Sequence, residues 1–482
     1  MPETRVLLVF PGSLYGGRWA DGPPVKPELV QFFTELRRAG HVADVLDLEA
    51  ELGNPADDVA RESFLQIADG LLAEQEADLV VISCRSALQY TAAVAVAARV
   101  RRQLPDAVIA VEGHHVSVRP DDFNDPGAPF DWLIAGEAES AVVTLAGQVA
   151  SGERETGVCR SLEGAPLLLD AGHLPDYAAY SYAAEGLPEL GLFLSRGCPY
   201  DAPARLLLPG GAGWHAYPPD VAVEAIDRVA ALRPGKVEVL DPAFGYEAGW
   251  RHAVLDRLAA GDRRDLALIV PGRPDALERL DVDKVCRARL GFKLEVGTLS
   301  PGLLGRTGQA ANPKKAVAHA LALLEYLNAK GVVTSARFVF NQPGETAETA
   351  GETLDALERF VTAAPTTSVT IDAQAWAFMP ASEDGADVTV PASRFGTRIE
   401  HPEWWREHMD AHTAATAVVA SHELAGLAPG DDSYWRPRFG QLREALAAKL
   451  TADARRDLGG HETVGSEACG VPHGWWTEPR WH

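Results

Sequence analysis

A chain of 482 residues exceeds what a single compact core accommodates, so two or three domains are expected. The formal net charge of −24 argues against a general binder of nucleic acid or anionic membrane, because both partners are polyanions. No apolar run is long enough to span a bilayer, and "MPETRVLLVF" enters a strand-like run with no basic leader, which points to a cytoplasmic protein.

The first 150 residues alternate strand-like and helix-like segments. RVLLVF (5–10) is a continuous apolar run suited to a strand buried on both faces, and PELVQFFTELRRAG (27–40) has helical spacing and a glycine stop. Strands are predicted next at 42–48, 78–84, 107–113 and 131–136, with helices at 62–75 and 91–104 between them. This order predicts a doubly wound, Rossmann-like parallel sheet whose ligands lie at the carboxyl ends of the strands. The loops at those ends are Ser83 onward, Glu112-Gly113-His114-His115 and Gly136-Glu137. Glycines there let a flat ligand approach the backbone, and they also serve simply to turn the chain.

Residues 151–190 have loop composition and read as a linker. From residue 191 the alternation resumes, with strands predicted at 191–195, 236–241, 266–271, 292–297, 334–340 and 368–375 and the clearest helices at 313–331 and 346–364. Six such strands with crossover helices predict a partial TIM-type (βα)6 barrel over 191–388, its site at the carboxyl ends. The region 389–482 is predicted to be helical, at 401–426 and 434–458, and rich in tryptophan (Trp404, Trp405, Trp435, Trp475, Trp476 and Trp481). Those rings either cap the barrel mouth or anchor helix packing. The five cysteines, Cys84, Cys159, Cys198, Cys286 and Cys469, contain no CxxC pair, so neither a disulfide framework nor a zinc ribbon is expected.

The succession "ISCRSALQYT", "VEGHHVSVRP", "IAGEAES", "SRGCPY", "VEVLDPAFGYEAGW", "PGRPDAL", "EVGTLSPGLL" and "NQPGET" resembles, in order, the cobalamin-binding-domain radical S-adenosylmethionine (SAM) enzyme family. The resemblance implies cobalamin contacts at Ser83, Arg85, Leu88, Gln89, Glu112, Gly113, His114, Gly136 and Glu137. It implies SAM contacts at Asp241, Arg273, Glu295, Asn341, Gln342, Pro343 and Gly344. Three departures bear on the chemistry. Glu112 stands where the family has the first glycine of a pair. No DxHxxG histidine follows the first strand, so no protein nitrogen is expected beneath the cobalt. The CxxxCxxC loop that holds an iron–sulfur cluster retains only Cys198, with Ala202 and Arg205 at the other two ligand positions. An iron–sulfur cluster is ordinarily held by three or four thiolates, so this loop reads as vestigial, with no metal held by protein side chains.

The expectation is therefore a degenerate family member: a cobalamin-dependent, methyltransferase-like enzyme using SAM in a polar transfer to a small molecule of specialised metabolism. An external reductant protein would be needed to maintain the cobalt. A non-catalytic cobalamin-binding pseudoenzyme, acting as sensor, carrier or partner subunit, is the alternative.

Overall fold

The computed structural model describes residues 3–14, 25–125, 127–153, 159–198, 213–241, 243–261, 266–277, 280–376, 394–397, 401–407 and 432–458. Six parallel strands form the first sheet: β1 (Arg5–Phe10), β2 (Val42–Asp47), β3 (Leu79–Ser83), β4 (Val108–Glu112), β5 (Trp132–Ala135) and β6 (Arg160–Glu163). They lie in the order β2-β1-β3-β4-β5-β6. Alternation along β1 sends Val6, Leu8 and Phe10 to one core, shared with helices α1 (Pro27–Arg38) and α6 (Glu139–Ala150). Leu7 and Val9 go to the other, against α3 (Asp58–Ala73) and α4 (Tyr90–Gln103). A strand covered on both faces needs no polar side, which explains its unbroken apolar run. Two short helices complete this part, α2 (Leu48–Leu52) and α5 (His114–Val118).

The segment predicted as a linker differs from expectation, because it contributes β6 to the edge of this sheet, paired with β5 from Trp132↔Arg160 to Ala135↔Glu163. Its side chains alternate between half-buried and exposed, so an edge strand with one wet face carries a loop-like composition. Gly164 follows at once. A Cβ there would fall 1.8 Å from the Glu137 carbonyl oxygen, so only glycine lets the chain cross the β5–α6 loop.

A second six-stranded parallel sheet comprises β7 (Glu189–Leu192), β10 (Lys236–Val239), β11 (Leu268–Gly272), β12 (Leu290–Gly297), β13 (Thr334–Phe340) and β14 (Val369–Ala375), paired in chain order. Its connections carry α7 (Pro219–Ala230), α8 (Ala248–Ala260), α9 (Val282–Ala288), α10 (Pro301–Thr307), α11 (Pro313–Ala329) and α12 (Ala347–Ala363). The strand predicted at 191–195 ends earlier, at Leu192. The Leu194 N–H leaves the ladder to bond the Asp241 carboxylate at 2.6 Å, and the chain turns into a separate antiparallel ribbon of β8 (Ser195–Arg196) and β9 (His215–Ala216).

The predicted helix over 434–458 is broken into α13 (Arg436–Ala447) and α14 (Ala452–Leu458). Between them Lys449 and Thr451 exchange backbone hydrogen bonds with Thr367, just ahead of β14, and this pairing displaces helical continuation. The described tryptophans act as packing anchors. Trp435 stacks on Phe340 with ring centroids 4.5 Å apart, which seats α13 on the second sheet. Trp404 and Trp405 are buried, and the Trp405 indole donates to Asp122 at 2.6 Å, docking residues 401–407 on the first sheet's α5 region. Most of the predicted helix 401–426, together with Trp475, Trp476 and Trp481, lies outside the described residues. No helix among the described residues is long and apolar enough to cross a membrane.

Removing that anchor tests the docking. Trp405→Ala is expected to cost about 3–5 kcal/mol of unfolding free energy, from a buried ring and a lost charge-assisted bond. Thermal unfolding measures it, and an unchanged midpoint would mean that 401–407 does not dock there.

Candidate functional site

The carboxyl ends of β3 and β4 hold a polar pair in direct register, Ser83↔Glu112, and the Ser83 hydroxyl donates to the Glu112 carboxyl. Both side chains are buried. Burial pushes the Glu112 carboxyl up to about 8, and the nearby Glu28 and Glu139 push the same way; Ser83 and Arg85 oppose them. Glu112 is therefore mostly protonated at neutral pH, a neutral acid beneath the loops. Gly113 has φ 115°, and a Cβ on it would stand 2.6 Å from the Cys84 carbonyl oxygen, so the β4 turn lies directly on the β3 turn. His114 opens α5, and burial pushes its imidazole well down, leaving it neutral.

Arg85 sits at the rim, part exposed, 3.4 Å from Glu28 of α1. Leu88 and Gln89 are fully buried. Gln89 closes a capping box with Ser86, accepting from its N–H and hydroxyl at 2.8 Å each, so these two residues shape the turn from within. At the end of β5, Gly136 has φ 77°, and one Glu137 carboxylate oxygen accepts from the Leu167 N–H at 2.8 Å. The structure thus gathers Ser83, Arg85, Glu112, Gly113, His114, Gly136 and Glu137 along adjacent strand ends, with Leu88 and Gln89 behind them.

On the second sheet, the predicted contacts fall into two groups. Asp241 is fully buried, and both its oxygens are engaged, by the Leu194 N–H at 2.6 Å and the Ser195 hydroxyl at 2.7 Å. Burial nevertheless pushes its carboxyl up to about 7. The Asn341–Gly344 turn is likewise closed on itself. Asn341 adopts φ 59°, its N–H donates to Glu345, its amide oxygen accepts from the Tyr434 hydroxyl, and Gln342 donates to the Val339 carbonyl at 2.7 Å. Pro343 is buried with them, and the Phe395 ring stands 2.9 Å from where a Gly344 Cβ would be. Burial pushes Glu345 up to about 8. Arg273 forks onto Asp275 at 3.0 and 3.2 Å.

Glu295 belongs to a different arrangement. Phe292 and Leu294 of β12 join the core, whereas Lys293 and Glu295 alternate onto the opposite face. There the register sets Arg337 of β13 between Glu295 and Asp372, with Arg337 3.4 Å from Glu295. Lys236 pairs with Glu189 at 2.7 Å, and Lys293 pairs with Glu238. Burial raises the Glu295 carboxyl while Arg337 and Lys293 draw it down. Sequence reading missed Glu238, Lys293 and Arg337. Their signal is a charge at every second position within otherwise apolar strands, "KVEV" and "FKLEV".

Where the two sheets meet, Arg196 of β8 bonds Glu139 at the start of α6 at 2.9 Å, both side chains buried, and His215 lies 3.5 Å from Glu137. Cys198, two residues on from Arg196, is buried. Ala202 and Arg205 lie outside the described residues, as does Cys469. Among the described residues no group of three or more His, Cys, Asp or Glu is arranged to hold a metal ion.

No protein-family model matches the chain, and no curated protein matches it significantly. Solved structures do. The radical S-adenosylmethionine methyltransferase TsrM from Kitasatospora setae, with cobalamin and a [4Fe-4S] cluster bound, aligns over 94% of this chain and 90% of its own, with TM-score 0.63 and 16% identity. The same protein with tryptophan substrate and a SAM analogue aligns over 77% and 73%, with TM-score 0.59 and 18% identity. The cobalamin-dependent SAM radical enzyme OxsB aligns over 93% of this chain and 62% of its own, with TM-score 0.54 and 14% identity. At such identities the likeness is one of fold: a mixed α/β chain with parallel sheets and many helices.

The raised carboxyls predict a pH dependence. Glu112 has a folded pKa of about 8 against an ordinary 4.5, so the stability it contributes is complete below 4.5 and is lost as pH rises through 8. Asp241 and Glu345, pushed up to about 7 and about 8, act in the same direction. The thermal midpoint is expected to fall between pH 6 and pH 9, and Glu112→Gln to shrink that fall. An identical profile for parent and variant would show that Glu112 ionises freely.

Proposed function

We propose that this protein is a cobalamin-dependent enzyme that uses SAM to methylate a small molecule by polar transfer, without an iron–sulfur cluster. The observation that carries the reading is a contrast. The fold matches, over 94% of the chain, that of a cobalamin- and cluster-bound methyltransferase, yet the corresponding loop offers one thiol, Cys198, followed by Ala202 and Arg205.

The loop's donor set does not fit a cluster. The first-sheet rim does fit a corrin. Arg85, Gly113 and His114 are part exposed and Gly136 is exposed along neighbouring strand ends, over a floor kept uncharged by the neutral Glu112 and its Ser83 partner. Cobalamin, when bound, supplies a strongly nucleophilic cobalt for moving a methyl cation between polar partners. The chain's own part is positioning. The neutral Glu112 would leave no negative charge beneath a ligand held at these strand ends, and Asp241 holds the 194–195 turn that leads to Cys198. For SAM, Glu295 presents a buried carboxylate oxygen with no hydrogen-bond partner, an acceptor for an ammonium or hydroxyl group. Arg273 reaches a SAM carboxylate only by leaving Asp275.

A second reading, a non-catalytic cobalamin binder serving as sensor, carrier or partner subunit, draws support from the closed Asn341–Gly344 turn beneath Phe395 and Tyr434. Turnover separates the two. Reduced protein loaded with cobalamin and given SAM is expected to form S-adenosylhomocysteine in a cobalamin-dependent manner, and Cys198→Ala is expected to retain that activity within about threefold, as a buried thiol outside a cluster packs as a small apolar group. No product with any reductant supports the non-catalytic reading. A Cys198→Ala variant that binds cobalamin but is inactive would place the thiol in the chemistry.

A further inference from the structure

The junction between the two sheets is built from buried charge. β8 is only two residues long, so its backbone pairing cannot by itself hold it in place. Its Arg196 guanidinium instead crosses to the first sheet and pairs with Glu139 at 2.9 Å, with side-chain exposures of 4% and 2%. Glu137, Glu28 and Tyr217 also act on this cation, and the Phe193 ring lies 4.8 Å from it. Three atoms of the junction are buried without hydrogen-bond partners: Arg196 Nε, Glu137 Oε1 and His215 Nε2. Glu28 lies 3.4 Å from Arg85 at the rim. The ribbon that leads into Cys198 is thereby tied to Glu139 and, through His215, to Glu137 of the first-sheet rim.

We infer that Arg196 is a positioning residue that couples the first-sheet rim to the Cys198 strand through Glu139 and through its strand partner His215, which faces the rim's Glu137. The inference rests on the cobalamin reading for the identity of the rim's ligand. Its physical basis is that a buried guanidinium is tolerable only when paired, so β8 stays where Glu139 is. If Arg196 is removed, the buried Glu139 loses its partner and the β8–β9 ribbon loses its anchor beside Glu137. Coupling of this kind is reciprocal, so a ligand seated on the rim also steadies β8.

Two readouts test it, one of them independent of cobalamin. In the unliganded protein, alkylation of Cys198, quantified by peptide mass spectrometry, is expected to be slow in the parent and at least about tenfold faster in Arg196→Met and in Glu139→Gln, with Arg196→Lys close to the parent. In cobalamin titrations, Arg196→Met is expected to raise Kd at least about tenfold and to alter the visible circular dichroism of the bound corrin, with Arg196→Lys restoring most of both. Should Arg196→Met fail to fold, Glu139→Gln carries the same comparison. Unchanged Cys198 labelling in these variants overturns the inference, as does a parent-like Kd and spectrum in a variant whose labelling has changed. A parent that binds no cobalamin, while labelling still responds to Arg196, instead contradicts the cobalamin reading and leaves Arg196 only its hold on β8.

Discussion

The arrangement depends on one constraint: charges and carboxyls taken out of water must be paired or neutral. The Arg196–Glu139 pair meets it between the sheets, and Glu28 pairs with Arg85 at the rim. Glu112, Asp241 and Glu345 meet it by protonation and short internal bonds, which is why burial pushes all three carboxyls upward. The polar face of the second sheet meets it by register, setting Arg337 between Glu295 and Asp372. Glu112, Asp241 and Glu345 each fix a loop at a carboxyl strand end. Rigid loops at that edge are what a cofactor-positioning protein requires.

Much of the fold was legible in the sequence. Strands such as 5–10 and 334–340 carry their signal locally, in apolar runs bounded by turns, and their observed limits agree with it. What was not legible depended on long-range partners. β6 is an edge strand of loop-like composition, held by pairing with β5. The early end of β7 is set by Asp241, forty-seven residues away from Leu194. The break between α13 and α14 follows from Thr367 capturing Lys449 and Thr451. None of these has a local pattern.

The candidate site divides in the same way. Ser83, Glu112 and Gly113 were found because strand ends are marked by small and polar residues, and the structure places them together. Leu88 and Gln89 occupy the predicted turn, but spacing could not reveal that their side chains face inward. Asp241 and Asn341–Gly344 are motif positions whose polar groups satisfy their own loops, a role that a motif alone does not distinguish from ligand contact. Arg196 and Glu139 lie fifty-seven residues apart, and only the meeting of the sheets joins them.

The central claim is that a fold shared with cluster-bearing methyltransferases here works with cobalamin and without the cluster. Metal analysis of protein reconstituted anaerobically with cobalamin, iron and sulfide tests it most directly. The account predicts about one cobalt per chain with corrin absorption and no stoichiometric iron or sulfide. About four irons per chain, held after desalting, would contradict it and require cluster ligands beyond Cys198.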